Sequence, residues 1–250
     1  MARICEQGGQ LEDMVEYIVD MFRKKDLQKV RLENKKSPVP ADFTKAERNL
    51  VHVGFKTVLS AKRVAVRTLN AIAENPKYTR YDRRIKLFKK KMQEDIIIDC
   101  THFLDMLHSY CIDRNGNGIE TEVFFLTLAA DMTRYMLEQT EPGPKLKSMK
   151  ENCQKLYERA ARKAEKLHYC SPTKMSMDLH HANFVNEFMN DTSQALKLCE
   201  AAVLKCQATI HTTDDDTFVE ASHIMELLKE NMAIWKGQDP TKVNDAQDFD

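Results

Sequence analysis

The sequence is poor in residues that break regular structure, and it has no long apolar run. Its 250 residues include only seven glycines and seven prolines, a composition that favours long helices over turn-rich sheets. No apolar stretch approaches the length of a membrane span, and the amino terminus shows no apolar signal segment. We therefore expect a soluble protein of the cytoplasm, and also of the nucleus.

Net charge and paired cysteines are also absent. The 38 basic residues balance the 38 acidic ones, so charge-driven binding needs a local patch, and neither nucleic acid nor a membrane is an expected partner. The seven cysteines are scattered without a CxxC pair, which is typical of a reduced protein. No P-loop, nucleophile elbow or GxGxxG motif occurs. We expect no enzyme activity and no cofactor.

The apolar residues follow helical spacing, and strand-like alternation is absent. Glycine, proline and polar breakers separate a short piece at 2–7 from eight longer segments, near 10–34, 43–74, 78–112, 119–140, 145–169, 173–189, 193–210 and 216–236. Short connections between long helices imply antiparallel neighbours. The sequence predicts an all-α fold of nine antiparallel helices in a layered bundle.

Several segment starts carry helix-capping signals. Thr44-x-x-Glu47 and Thr217-x-x-Glu220 fit capping boxes, and Ser171-Pro172 fits an N-cap followed by proline at the first helical position. We predict one helical domain over residues 1–236. The acid-rich segment 237–250 is predicted to be a disordered tail.

One interhelical segment resembles a calcium loop but lacks an essential ligand. The stretch "DRNGNGIETEVF" (113–124) starts with suitable oxygen ligands, yet its twelfth position, where a bidentate glutamate is required, is Phe124. His180 and His181 are adjacent, with no HExxH or paired-carboxylate pattern beside them. We predict no metal site.

A narrow cationic stripe runs along the helix predicted at 43–74. Lys56, Arg63 and Arg67 fall within about 20° of one line down the helix, and apolar residues flank that line on both sides. An ordinary amphipathic helix has a polar face about as wide as its apolar face. The stripe is therefore either a solvated face or part of an anion site.

A second stripe, on the helix predicted at 119–140, favours the anion site. One face of that helix carries Thr127, Asp131, Arg134 and Glu138, with Tyr135 beside them. If the two stripes face each other, they gather Lys56, Arg63, Arg134 and the Tyr135 hydroxyl. Two guanidinium groups, an ammonium and a phenol suit a phosphate dianion.

Longer matches now show a family resemblance over nearly the whole chain. The matching stretches are "ERNLVHVGFKTVLSAKR" (47–63), "VFFLTLAADMTRYMLE" (123–138), "NEFMNDTSQALKLCEAA" (186–202) and "IMELLKENMAIW" (224–235). The sequence resembles a divergent 14-3-3 protein. The resemblance implies a cup-shaped dimer of helical subunits that binds phosphoserine and phosphothreonine peptides, extended in an amphipathic groove, and regulates these clients in signalling.

The resemblance assigns roles to individual residues. The phosphate pocket would consist of Lys56, Arg63, Arg134 and Tyr135, all retained. The apolar groove wall would consist of Leu179, Ile224, Leu227 and Trp235. Asn231 matches an amide that binds the peptide backbone, and Glu187 matches a groove carboxylate.

Four groove positions depart from the family pattern. The family's second backbone-binding asparagine is His180 here, its groove lysine is Thr127, an apolar valine is Asn183 and an apolar leucine is His223. An unmade buried hydrogen bond costs about 1–3 kcal/mol. Two interpretations stay open: a phosphorylation-dependent adaptor, or a degenerate scaffold that keeps the fold and binds partners independently of phosphorylation.

The implied partners are phosphorylated client proteins and a second subunit, in a homodimer or heterodimer. Gly8-Gly9 falls where the family's first helix builds the dimer interface, and glycine is a poor helix former, so we predict a weakened interface. The tail at 237–250 contains four aspartates and one lysine. We also predict that this tail binds the cationic groove of its own subunit.

Overall fold

The structure, a computed structural model, describes residues 11–35, 42–114 and 116–237. Within these ranges it contains two 3₁₀ helices, Pro76–Tyr81 and Ile210–Thr212, and no strand. The same ranges contain eight α-helices: α1 (Leu11–Lys35), α2 (Lys45–Glu74), α3 (Asp82–Tyr110), α4 (Ile119–Glu138), α5 (Pro144–Ala164), α6 (Pro172–Phe188), α7 (Thr192–Thr209) and α8 (Asp215–Trp235). The predicted all-α fold is confirmed.

Some sequence predictions concern residues outside the described ranges. These are the short helix at 2–7, the Gly8-Gly9 pair and residues 238–250 of the tail. Within the described ranges, none of the helices is both long and apolar enough to span a membrane.

Two boundaries of the described helices differ from the predicted ones by more than two residues, and local hydrogen bonds explain both. The segment predicted from 78 starts as a 3₁₀ helix, because the Asn75 side chain accepts a hydrogen bond from the Lys77 amide and sets a tight first turn. The segment predicted to reach 169 leaves the α-helix at Ala164. There the amide of Leu167 donates to the carbonyl of Ala164, three residues back, at 3.0 Å, which closes the helix with a tight turn.

The capping box at the start of α2 is confirmed. The Thr44 hydroxyl oxygen accepts a hydrogen bond from the Glu47 amide at 3.2 Å, and the Glu47 carboxylate accepts one from the Thr44 amide at 2.8 Å. The box predicted at Thr217 is wrong. Asp214 caps α8 instead, since its carboxylate accepts from both the amide and the hydroxyl of Thr217. Ser171 is the N-cap of α6, as predicted, but its side chain makes no capping hydrogen bond.

Replacing Thr44 with alanine is expected to destabilise the start of α2. The change removes the acceptor for the Glu47 amide, and losing an N-cap of this kind costs about 1 kcal/mol. Urea unfolding followed by circular dichroism should show the loss. Thr44→Ser, which keeps the hydroxyl, should behave like the wild type, and equal stability of the alanine and serine variants would contradict this prediction.

The described helices group into two compact units, Met1–Asn152 and Cys153–Asp250, and the boundary lies within α5. The first unit has an aromatic core. Phe55 of α2 stacks on Phe103 of α3, with ring centroids 4.0 Å apart, and Phe43 packs edge-on against Phe125 of α4 at 4.9 Å. All four rings are buried, so aromatic contacts join α2 to α3, and the segment just before α2 to α4.

Helices α1 and α2 approach closely at a glycine. A β-carbon at Gly54 would clash with the end of the Ile18 side chain. Gly54 belongs to the small apolar face of α2, opposite Lys56 and Arg63, so this face packs on α1 while the cationic stripe is left for other contacts. Lys56 and Arg63 therefore lie on the side of α2 that faces away from this contact with α1.

The core of the second unit lies between α6, α7 and α8. It is built from small and sulfur-containing side chains as well as leucine, and its fully buried members include Cys170, Met175, Ala182, Cys199, Cys206, Ala221 and Leu228. Ile224, Leu227 and Trp235 of α8 pack against this core while staying partly exposed. The α8 stripe that the resemblance assigned to a groove wall is therefore anchored on one side and accessible on the other.

Candidate functional site

The first unit brings two arginines together over one tyrosine ring. The guanidinium carbon of Arg63 on α2 lies 4.0 Å from the ring centroid of Tyr135 on α4, and that of Arg134 lies 5.1 Å from it. Both distances fit a cation–π contact. The two predicted stripes therefore meet at Arg63, Arg134 and Tyr135, as their helical spacing indicated.

A carboxylate, Glu138, already occupies the guanidinium fork of Arg63. Arg63 donates from Nε to Glu138 Oε2 at 3.0 Å and from Nη2 to Oε1 at 2.8 Å. This two-bond geometry is the one that arginine uses for planar carboxylates and for phosphates. Arg63 is thus held with its fork directed at an oxyanion.

The electrostatics of Arg63 reflect this contact. Burial alone would lower the pKa of the Arg63 guanidinium, but the Glu138 carboxylate and the Tyr135 phenol raise it above its usual value. The nearby positive charge of Arg134 acts in the opposite direction. The Glu138 carboxylate and the Tyr135 phenol thus outweigh the effect of burial and favour the charged form of Arg63.

Acidic residues compensate most of the positive charge in this site. Arg134 is buried, and its Nε lies 4.0 Å from Asp131 Oδ1 on the same helix. Lys56, Arg63 and Arg134 bring three positive charges, and Asp131 and Glu138 bring two negative ones, which leaves one net positive charge. The cations are therefore largely compensated, and Glu138 occupies the guanidinium fork of Arg63.

Lys56 and Thr127 lie on the same two helices as the arginines. Lys56 is half-buried and precedes Arg63 by seven residues, two helical turns, which puts both on one face of α2. Thr127 is buried, and its hydroxyl donates to the Val123 carbonyl within α4 at 2.8 Å. A hydroxyl used in this way supplies none of the positive charge of a groove lysine.

The predicted groove residues of the second unit lie on α6 and α8. On α8, Ile224, Leu227, Asn231 and Trp235 follow helical spacing, and all four are partly buried. On α6, Leu179 is buried, Asn183 is half-buried and Glu187 is exposed, each four residues from the next. The α8 stripe therefore combines three apolar residues with one asparagine, and the α6 stripe combines one leucine, one asparagine and one exposed carboxylate.

The two asparagines of these stripes are hydrogen-bonded to each other. The side-chain nitrogen of Asn231 donates to the side-chain oxygen of Asn183 at 2.8 Å. This bond links α8 to α6 between positions 48 residues apart in the chain. Asn183 is thereby the partner of the amide that the resemblance assigned to the peptide backbone.

The remaining polar groove positions differ in exposure. His180 is half-buried on α6 and His223 is exposed on α8. His181 stacks on Tyr157, with ring centroids 5.2 Å apart, and burial lowers the pKa of its imidazole. Over the described residues, no group of three or more histidine, cysteine, aspartate or glutamate side chains could hold a metal ion.

Comparisons with known proteins agree with this architecture. The family model of the 14-3-3 protein matches residues 1–236. Similar proteins include 14-3-3-like protein C of Glycine max, 26% identical over 96% of this chain and 88% of its own length. The 14-3-3-like protein 2 of Caenorhabditis elegans is 25% identical over 99% and 94%, and the 14-3-3 protein beta/alpha-1 of Oncorhynchus mykiss is 27% identical over 82% and 84%. The chain belongs to the 14-3-3 family, as a divergent member.

Two features of the site were missed by sequence reasoning. Glu138 was noted on the α4 stripe, four residues after Arg134, but its bidentate contact with Arg63 depends on the distance between two helices. The Asn183–Asn231 hydrogen bond was missed because a polar residue at an expected apolar position was interpreted as a loss of packing. Its amide was not considered as a partner for another side chain. A polar residue at a groove position, facing a helix that carries another amide, was the available signal.

Proposed function

We propose that this protein is a non-catalytic adaptor that binds protein segments phosphorylated on serine or threonine and so regulates client proteins in signalling. Membership in the 14-3-3 family supports a phosphopeptide-binding adaptor role in general. The phosphate binds at Lys56, Arg63, Arg134 and Tyr135 in the first unit. In the second unit, the stripes of α6 and α8 form a peptide-binding surface.

The main support for this proposal is the two-bond contact between the Arg63 guanidinium and the Glu138 carboxylate. A guanidinium that already holds a carboxylate by two parallel bonds is oriented to hold two phosphate oxygens in the same way. Arg134 lies on the same tyrosine ring and adds a second positive charge. A phosphate dianion carries more charge than Glu138 and has more acceptor oxygens, so it can displace that carboxylate.

Assembly and location complete the proposal. The protein acts in the cytoplasm and the nucleus as a homodimer or a heterodimer, with an interface weakened at Gly8-Gly9. The acidic tail, residues 237–250, competes with client segments for the cationic site of its own subunit. Sedimentation at falling protein concentration tests the interface, and phosphopeptide affinity with and without residues 237–250 tests the tail.

A panel of phosphoserine and phosphothreonine peptides, each with its unphosphorylated twin, tests the proposed function. Binding of the full chain is measured by fluorescence anisotropy, and we expect a subset of the phosphorylated members to bind, with their twins much weaker. Phosphorylated and unphosphorylated members that bind equally well would instead support the degenerate scaffold. That alternative is favoured by one observation, the replacement of a groove lysine by the internally bonded Thr127.

A further inference from the structure

A strongly basic segment of the first unit runs from the 3₁₀ helix Pro76–Tyr81 into the first turns of α3. Between residues 77 and 91 there is one carboxylate, that of Asp82, and there are eight cations: Lys77, Arg80, Arg83, Arg84, Lys86, Lys89, Lys90 and Lys91. We call these eight side chains the basic surface. Because the whole chain has a formal net charge of zero, the rest of the chain carries the balancing negative charge. The basic surface is therefore a local patch of the kind that charge-driven binding to a neutral protein needs.

The cations of the basic surface are accessible. Seven of the eight residues are exposed, and Lys89 is half-buried. Over the described residues, two of them form ion pairs, Lys86 with Asp82 at 2.7 Å and Lys90 with Glu94 at 4.0 Å. The four side chains in these pairs are 45–74% exposed, and such ion pairs contribute little to stability. An anionic partner can therefore reach most of this charge.

Large apolar side chains lie exposed among these cations. Leu87 is 62% exposed and Phe88 is 51% exposed. Leu87 lies about 180° around α3 from the buried Ile96, so it points away from the core. Arg83 and Lys91 lie four residues before and after Leu87, on the same face of the helix. An aliphatic side chain thus projects from the protein with a cation on each side of it.

This combination favours an anionic lipid surface over a nucleic acid. Single-stranded nucleic acid binds by stacking its bases on aromatic faces. The ring of Tyr81 is already covered by Arg80, whose guanidinium carbon lies 4.6 Å from the ring centroid, and an aliphatic side chain such as Leu87 offers no face for stacking. A basic helix with protruding apolar side chains instead suits the membrane interface, where lipid headgroups attract the cations and the apolar groups leave water.

The basic surface is separate from the phosphate site proposed at Arg63. Helices α2 and α3 meet at the ion pair between Lys62, the neighbour of Arg63, and Asp99. Leu87 precedes Asp99 by twelve residues, which corresponds to about 18 Å along α3. A second copy of the same surface is a poor partner, because two sets of cations facing each other repel.

We propose that the basic surface docks this protein on membranes that contain anionic phospholipid. Its lysines and arginines lie at the headgroups, and Leu87 inserts among the upper parts of the acyl chains. This role goes beyond phosphopeptide binding and does not depend on it, since the two sites use different residues. A chain docked in this way holds itself at the membrane surface without spanning it.

Co-sedimentation of the full chain with lipid vesicles tests this docking. We expect binding to vesicles of phosphatidylcholine with about one third phosphatidylserine, little binding to pure phosphatidylcholine, and weaker binding as salt is raised. Each lysine or arginine near such a surface contributes about fivefold to the affinity. The triple variant Arg83→Gln, Lys90→Gln, Lys91→Gln should therefore bind about 100-fold more weakly.

Two further variants separate lipid docking from a general effect of charge. Leu87→Ser keeps every charge and should bind the anionic vesicles about tenfold more weakly, because it loses apolar area that leaves water. The matched control is Lys145→Gln, Lys147→Gln, Lys166→Gln, which removes three exposed lysines outside the basic surface. We expect the control to stay within about threefold of wild type. Circular dichroism checks that each variant folds, and every replaced residue is exposed.

Several results would overturn lipid docking. These are no binding to the anionic vesicles, equal losses in the two triple variants, or wild-type binding by Leu87→Ser. Tighter binding of single-stranded oligouridylate than of the vesicles would assign the surface to RNA instead. A change in the sedimentation of the Arg83, Lys90 and Lys91 variant without lipid would show that a second subunit covers the surface, and would also contradict the proposal.

Discussion

Replacing Arg63 with glutamine is expected to weaken binding of a phosphoserine peptide about 100-fold while leaving the fold intact. The change removes the guanidinium that makes two parallel bonds to Glu138 and, in our proposal, to the phosphate. Hydrogen bonds to charged groups contribute about 1.5–3 kcal/mol each, and a loss of about 3 kcal/mol corresponds to roughly 100-fold in affinity. Isothermal titration calorimetry with one phosphopeptide measures the effect.

Lys62→Gln is the matched control for this variant. Lys62 is the neighbouring cation on α2, and it forms an ion pair with Asp99 of α3, so the control also removes one charge and one ion pair. We expect its phosphopeptide affinity to stay within about threefold of wild type, the range of surface ion-pair effects. Equal losses in the two variants would mean that the peptide senses overall charge and that the assigned pocket is wrong.

Arg134 is less suitable for this test, although it belongs to the same site. It is buried beside the buried carboxylate of Asp131. Arg134→Glu would put two carboxylates three residues apart in the interior, and burying uncompensated charge costs several kcal/mol. A loss of binding in that variant would therefore not separate recognition from folding.

The second large effect concerns Asp178 on α6. Burial raises the pKa of its carboxyl group from 3.8 to about 6, although the nearby Lys174 and Lys205 act to lower it. The folded state therefore holds the proton more tightly than the unfolded chain does. Stability from this group is fully present below pH 3.8 and is lost as the pH rises through about 6.

Asp178→Asn is consequently expected to stabilise the second unit at neutral and alkaline pH. The variant and the wild type should be equally stable near pH 4. Their difference should grow to a plateau above pH 7, with an upper bound of about 3 kcal/mol from the shift of the pKa. Urea unfolding followed by the fluorescence of Trp235, the one tryptophan of the sequence, reports on this unit.

Taking the difference between variant and wild type removes the effect of His181. Burial lowers the pKa of that imidazole, so its contribution is lost as the pH falls and opposes the trend of Asp178. Asp214→Ala is a control for which the expected change in stability at neutral pH has the opposite sign. The Thr217 amide and hydroxyl lower the pKa of Asp214, so this variant should be less stable than wild type at neutral pH. If the difference in unfolding free energy between Asp178→Asn and wild type did not change with pH, burial would not be raising the pKa of the Asp178 carboxyl group.

Local patterns made the helices predictable. Apolar spacing and breakers located every described α-helix, and the Thr44–Glu47 capping box was correct because its partners are three residues apart. The same kind of pattern failed at Thr217, where Asp214 offered a carboxylate at capping distance. Which of two nearby side chains caps a helix depends on the residue at which the helical backbone begins. A sequence motif does not contain that information.

The candidate site was predictable only in part, because several of its contacts join distant segments. Arg63 and Arg134 were found from the faces of their helices. Two contacts depend on the distance between packed helices: the hydrogen bond from Asn231 to Asn183 and the two-bond contact of Arg63 with Glu138. Spacing along the sequence does not give that distance. No sequence motif marks Asp178, because its partial burial arises from the packing of the second unit.

The affinity ratio between a phosphoserine peptide and its serine twin is the most direct test of the central claim, that this chain recognises phosphate. Calorimetric titration of the full chain with both peptides should give a ratio of at least about 100, since the phosphate makes several charge-assisted bonds. A ratio near one, with both peptides bound, would contradict phosphate recognition by Lys56, Arg63, Arg134 and Tyr135.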